Sequence, residues 1–118
     1  MNKIVVIGSS NTDMVVRSER LPRPGESVLG GGFMMAGGGK GANQAIGLSR
    51  LGAGVKMIGK VGADANGESL IKNLEKNNVD ATCVATDGTS TGLAAILIDG
   101  QGRNRIVVYE AANSEIDP

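Results

Sequence analysis

Apolar and polar positions along this chain change period several times, from short β-branched runs to helical stripes and back. Lys3 to Gly8 is a brief apolar run closed by glycine, the pattern of a strand buried on both faces. Met14-Val15-Val16 predicts a second short strand with Asp13 at its start. Leu21 to Glu26 is turn material, because proline fixes φ and Gly25 relaxes the next position. Ser27 to Ala36 reads as extended, interrupted by Gly30-Gly31-Gly32. A helix is predicted from about Gly41 to Leu51, where Ala42, Ala45, Ile46 and Leu48 form a narrow, small-residue face and Gly52 and Gly54 mark its end. Val55 to Val61 is a second buried-strand candidate. Asp64 then caps a helix over roughly Ala65 to Asn77, with Leu70, Ile71 and Leu74 as the inward stripe. Val79 to Ala85 follows as a strand. Gly92 to Ile98 and Arg105 to Tyr109 flank Asp99-Gly100-Gln101-Gly102, a strong hairpin signal.

Strands alternating with helices argue for a parallel α/β sheet. The hairpin and the early short strands break that alternation and call for a separate β element. Asp117-Pro118 has the form of an N-cap followed by proline at the first helical position. A helix is announced and the sequence stops, so a truncated chain is the expectation.

Composition narrows the function classes. At 118 residues this is one domain at most, or a piece of a larger one. Formal charge is zero, pI is about 6.2, basic residues are scattered, and one Phe and one Tyr offer no stacking platform, so nucleic-acid binding is not expected. No apolar run reaches bilayer length, and the start lacks a secretory pattern, so no membrane partner is expected. A lone Cys83 fits a reducing compartment, which makes the cytoplasm the expected location. With no histidine, His-based triads and the usual zinc sites are excluded from this chain.

The chemistry concentrates in Gly37-Gly38-Gly39-Lys40-Gly41-Ala42-Asn43-Gln44-Ala45. Glycines there let a ligand approach the backbone, and the helix start that follows offers free N–H groups and a weakly positive end. Lys40 and Asn43 add side-chain donors. Such a loop suits a small hydroxyl-rich or anionic ligand. It is not a Walker A loop, because Met34 stands where the first glycine belongs and Gly41 where Ser or Thr belongs. Gly37, Gly39 and Ala42 match a dinucleotide fingerprint only superficially, since no convincing core strand precedes them. Asp13 is the sharpest single candidate: an ionised carboxylate accepts from two neighbouring hydroxyls, as in a sugar diol. Read alone, it equally suits an Asx turn that holds its own backbone.

Taken with their surroundings, these segments resemble the ribokinase branch of the PfkB carbohydrate kinases. Ile4-Val5-Val6-Ile7-Gly8 followed by Asn11-Thr12-Asp13 resembles the family's opening strand and Asn-x-Asp sugar contact. Pro22-Arg23-Pro24-Gly25-Glu26, Gly62-Ala63-Asp64-Ala65-Asn66-Gly67 and Ser90-Thr91-Gly92 match further family motifs in order. The resemblance implies an α/β class: a Rossmann-like ribokinase fold, a parallel sheet with flanking helices, plus a small β-sheet lid, here incomplete. It implies that residues 1–118 are the N-terminal part of the kinase domain, with lid strands at about 13–36 and 91–110 inserted in the α/β body. The catalytic and ATP-binding half would then be absent, and this chain alone inactive. Sugar binding is implied for Asn11, Asp13, Gly38, Gly39, Lys40 and Asn43, the glycines through backbone N–H groups. Ala95 and Val107 are implied as pocket wall, with ordinary sheet packing the open alternative. Asp64 stands in the Gly-x-Asp-x-x-Gly step and is a helix cap, so no catalytic residue falls in this chain. Relatives often carry Gly-Ala-Asn where this chain has Ala111-Ala112-Asn113, and the missing glycine puts any special backbone geometry there in question.

As an intact enzyme such a protein would phosphorylate D-ribose at its 5-hydroxyl, using ATP with Mg2+ and K+, as a homodimer clasped through the lid sheet. Rival readings are a kinase of the same family for deoxyribose or a fructose derivative, and a non-catalytic sugar-binding module.

Overall fold

The computed structural model describes residues 3–116, so the helix start expected at Asp117-Pro118 lies outside the described residues. Its first sheet is parallel, in the order β1 (Lys3–Ile7), β4 (Gly54–Gly62), β5 (Val79–Gly88). Two helices, α1 (Lys40–Arg50) and α2 (Ala65–Lys76), pack on it. This is the α/β body that the alternation predicted. Strand β4 is its centre, with Ile4 opposite Val55 and Val6 opposite Met57. Every second residue of β4 is buried, because side chains alternate across the pleat and the helices cover one face. Val6, Val55, Met57 and Val61 meet Ala42 and Ala45 of α1 and Leu70 and Leu74 of α2 in a single core. Met57 and Ala45 are fully buried. Full burial of a side chain the size of Met57 or Leu74 stabilises by about 1.5–3 kcal/mol. The small face of α1 lets that helix come close to the sheet: a Cβ on Gly41 would sit 2.8 Å from the Gly8 backbone.

Both helix ends follow from sequence. Asp64 caps α2 by accepting from the Gly67 N–H at 2.8 Å. The last turn of α1 closes through Leu51 and Gly52, whose φ of 97° is open to glycine at little cost.

The expectation that Lys3 to Gly8 is buried on both faces does not hold. Val5 is 56% and Ile7 69% exposed. Among the described residues strand β1 pairs only with β4, and both helices lie on the Val6 side. A continuous apolar run cannot reveal by itself which of its faces this stretch of chain covers.

The remaining strands build a second sheet in the order β3 (Gly32–Gly38), β2 (Asn11–Arg17), β6 (Gly92–Ile98), β7 (Asn104–Tyr109). Strand β2 is longer than the three apolar residues predicted, and Asp13 is its third residue rather than its first. The extended stretch expected from Ser27 is a strand only from Gly32. The hairpin between β6 and β7 turns where predicted, with Asp99 accepting from the N–H groups of Gln101 and Arg103 at 2.9 Å. A 3-10 turn (Ala111–Glu115) then returns to the body.

Three polar ties join the two sheets. Thr91, just before β6, takes the Gly62 N–H on its hydroxyl and gives its own N–H to Asp64. Glu115 accepts from Thr89, and Asn113 reaches Ser10.

Candidate functional site

The glycine loop sits where β3 ends and α1 begins, at the carboxyl end of β1, the usual ligand side of a parallel sheet. Gly39 is the N-cap of α1 with φ 95° and no side-chain cap. A side chain at Gly39 would also collide with the Ser9 carbonyl, 2.6 Å from its Cβ, so glycine is required on two counts. Lys40 opens the helix, and the first turn holds no acidic residue. A cation at the positive end of a helix works against stability, which favours a ligand role. The Ala42 N–H donates to Ser9 and the Asn43 N–H to Gly39, so the loop is pinned to the end of β1.

Asn11, Gly39, Lys40 and Asn43 line one cleft of about 480 Å3, together with Ser9, Val108, Glu110 and Asn113. Asp13 and Gly38 meet beside it, and the Asp13 carboxylate fills the space that a Cβ on Gly38 would take. Asn11 and Asp13, two apart on β2, project from the same face of the sheet. Among the described residues nothing donates to the Asp13 carboxylate, and burial pushes its pKa up. Partial burial without a protein donor disfavours the ionised form, and a ligand hydroxyl donating to the carboxylate would offset that cost.

Ala95 and Val107 require a correction. They pair with each other, and Ala95 is in register with Met14, so both project from the face opposite Asp13. Both are exposed. The residues in register with Asp13 are Ala94 and Ala36, and Ala94 pairs with Val108. Val108 lines this cleft and Ala94 shares the Asp13 face of the sheet, each one residue from the expected position on its strand. Sequence reading also missed Ser9 and Glu110, which carry no motif signal and reach the cleft only through folding.

A larger cavity of about 780 Å3 lies at the other end of the second sheet, among Arg17, Glu19, Leu29 and Gly100. Volume alone does not select a site. The smaller cleft brings together the glycine loop, the Lys40 cation and the three carboxamides of Asn11, Asn43 and Asn113, beside the Asp13 carboxylate. Asp64 lies apart from it; its carboxylate is held below the usual range first by the Thr91 hydroxyl and then by the Gly67 and Thr91 N–H groups. It has the partners of a helix cap.

Comparison with known proteins gives a consistent result. The family description "pfkB family carbohydrate kinase" matches residues 1–118. The ribokinase of Bacillus subtilis is 45% identical over the whole chain, and the deoxyribokinase of Salmonella typhimurium is 35% identical over 98% of it. The structure of Arabidopsis thaliana ribokinase complexed with ribose and ATP superposes with a TM-score of 0.83 at 33% identity over 96% of this chain. The chain spans 40%, 38% and 38% of the length of these three relatives, respectively.

Proposed function

Because this chain belongs to the pfkB family of carbohydrate kinases, we propose that it is the sugar-binding, N-terminal part of a ribokinase, which as a whole protein transfers the γ-phosphoryl group of ATP to the 5-hydroxyl of D-ribose. One observation carries this reading: the unpartnered Asp13 carboxylate pressed against Gly38, next to a cleft lined by Asn11, Gly39, Lys40 and Asn43. Asp13 accepts from sugar hydroxyls, Asn11, Lys40 and Asn43 add polar contacts, and the backbone at Gly38 and Gly39 closes on the ring. Phosphoryl transfer depends on holding the attacking hydroxyl in line, and holding it is the task assigned to these residues.

Among the described residues no three acidic, cysteine or histidine side chains cluster as metal ligands, and the glycine loop lacks Walker spacing. The residues proposed here to hold the sugar therefore supply no cluster of acidic, cysteine or histidine ligands for Mg2+ and no Walker-type phosphate loop for ATP. In the proposal ATP, Mg2+ and K+ belong, with the catalytic base, to the remaining length seen in the relatives. The second sheet, strands within about 13–36 and 91–110, is assigned as the lid. Its exposed Phe33, Met35, Val107 and Tyr109 fit a homodimer clasped through that sheet, and the assigned compartment is the cytoplasm. No helix is long and apolar enough to cross a membrane among the described residues.

The deoxyribokinase relative favours deoxyribose as the second reading. Titrating D-ribose and 2-deoxyribose onto the chain, alone and joined to the remainder of the Bacillus subtilis ribokinase, ranks the two sugars. Asp13→Asn should lose ribose recognition. Its fold should be at least as stable at pH 7, because a carboxyl with a raised folded pKa destabilises once ionised and stabilises only as pH falls below that pKa. Unchanged ribose affinity in Asp13→Asn sinks the site.

A further inference from the structure

We propose that Asn113 is a positioning residue that fixes which end of the Asn11 carboxamide faces the ligand; this rests on the sugar-site reading above. The Asn113 Oδ1 accepts from the Ser10 N–H at 3.0 Å, and its Nδ2 donates to the Ser10 carbonyl at 3.1 Å. A backbone N–H can only donate and a carbonyl can only accept, so Ser10 dictates the orientation of the Asn113 amide. The second Nδ2 proton goes to the Asn11 Oδ1 at 2.6 Å. With its oxygen taken, Asn11 keeps its NH2 group for the cleft that both residues line.

The surroundings are shaped around this pair. A Cβ on Gly92 would run into the Asn113 Nδ2 and lie 2.6 Å from the Asn11 Oδ1, so only glycine leaves room for it. Ala111 holds the left-handed φ of 46° that returns the chain to Ser10, with the Ala112 N–H anchored on the Ser90 carbonyl at 2.9 Å. The left-handed turn suited to the family's glycine is therefore kept here by an alanine.

The result is a directed chain of hydrogen bonds. Asn113 donates to Asn11, Asn11 donates to a ligand oxygen, and a ligand hydroxyl donates to Asp13. A hydroxyl can accept from one side and give to the other, whereas a ligand presenting a donor to the Asn11 NH2 group meets another donor.

Two measurements on the full chain test this. In side-chain amide exchange, both Asn113 carboxamide protons should exchange at least about tenfold more slowly than those of exposed Asn104, and Asn11→Ala should release one of them while the proton on Ser10 stays slow. In ribose titration, with the chain joined to the remainder of the Bacillus subtilis ribokinase, Asn113→Ala should weaken binding about tenfold when Asn11 is present and less than about twofold in an Asn11→Ala background. Gly92→Ala, which keeps both asparagines in the sequence but forces the Asn113 Nδ2 away from the Asn11 Oδ1, should reproduce the loss. Exchange of both Asn113 protons at the Asn104 rate, or equal weakening with and without Asn11, overturns the proposal. If the unaltered chain binds no ribose, the sugar reading fails alone, and the exchange rates still decide the tether.

Discussion

Replacing Gly38 with alanine is the most direct physical probe of the site. Gly38 ends β3 opposite Asn11, and its φ lies outside the left-handed region, so the backbone accepts alanine without strain. The side chain does not fit as easily. Its Cβ would lie 2.7 Å from both Cγ and Oδ1 of Asp13, against ordinary contact beginning at 3.4 Å. The Asp13 Oδ2 lies closer still, so the carboxylate must retreat by at least about 0.7 Å, the difference between those distances, or the strands must part. Overpacking of this kind costs about 1–3 kcal/mol of stability. A misplacement approaching 1 Å at a binding group lowers function by up to about a hundredfold. Ribose affinity in Gly38→Ala should therefore fall by about ten- to a hundredfold, read by calorimetric titration alongside urea unfolding. Gly47→Ala is the control. That residue sits on the solvent-facing side of α1 with nothing within 4 Å of a built Cβ, so alanine there should stabilise by about 0.5–1 kcal/mol and leave ribose binding alone. If Gly38→Ala binds ribose within twofold of the original chain, the carboxylate and the glycine do not form one site.

Two further outcomes follow from the ion and cap geometry. Glu26 grips Arg20 with both oxygens and accepts the Arg23 N–H, and the Arg20 hydrogen bond, then that of Arg23, holds its pKa down to about 2. Its folded value is depressed, so its contribution is present above about pH 4.5 and is lost as pH falls toward 2; Glu26→Gln should flatten the acid limb of a stability-versus-pH curve, and an unchanged limb refutes the pairing. Asp64→Ala removes a helix cap and two bonds to Thr91, so it should cost about 2–3 kcal/mol in urea unfolding while leaving ribose affinity per folded molecule unchanged. A loss of affinity larger than the loss of folded protein would place Asp64 in the site after all.

Much of this molecule is legible in its residues. The body follows from periodicity, because β4, α1 and α2 each bury a face whose spacing matches their geometry. The α2 cap was visible as Asp64 ahead of a helical stripe, and the hairpin as Asp99-Gly100-Gln101-Gly102. The glycine loop and Asn11-Thr12-Asp13 stand out as motifs in the sequence, and the fold places them side by side. Ala95 and Val107 went astray because motif spacing does not state which side of a strand faces the ligand. A shift of one residue reverses the face, and only the register with β2 settles it.

The limits of sequence lie where contacts are distant along the chain. Local patterns determine where this chain turns, which stripe each helix buries and which stretch is bare enough to admit a ligand, since those properties depend on dihedral preference and periodicity over a few residues. Tertiary structure alone decides that Asn113 reaches Ser10 and Asn11, about a hundred residues earlier, that Gly92 must lack a side chain, and that Val5 and Ile7 face outward. Each of these depends on which strands become neighbours, a choice made by the packing of the whole chain and written in no single segment.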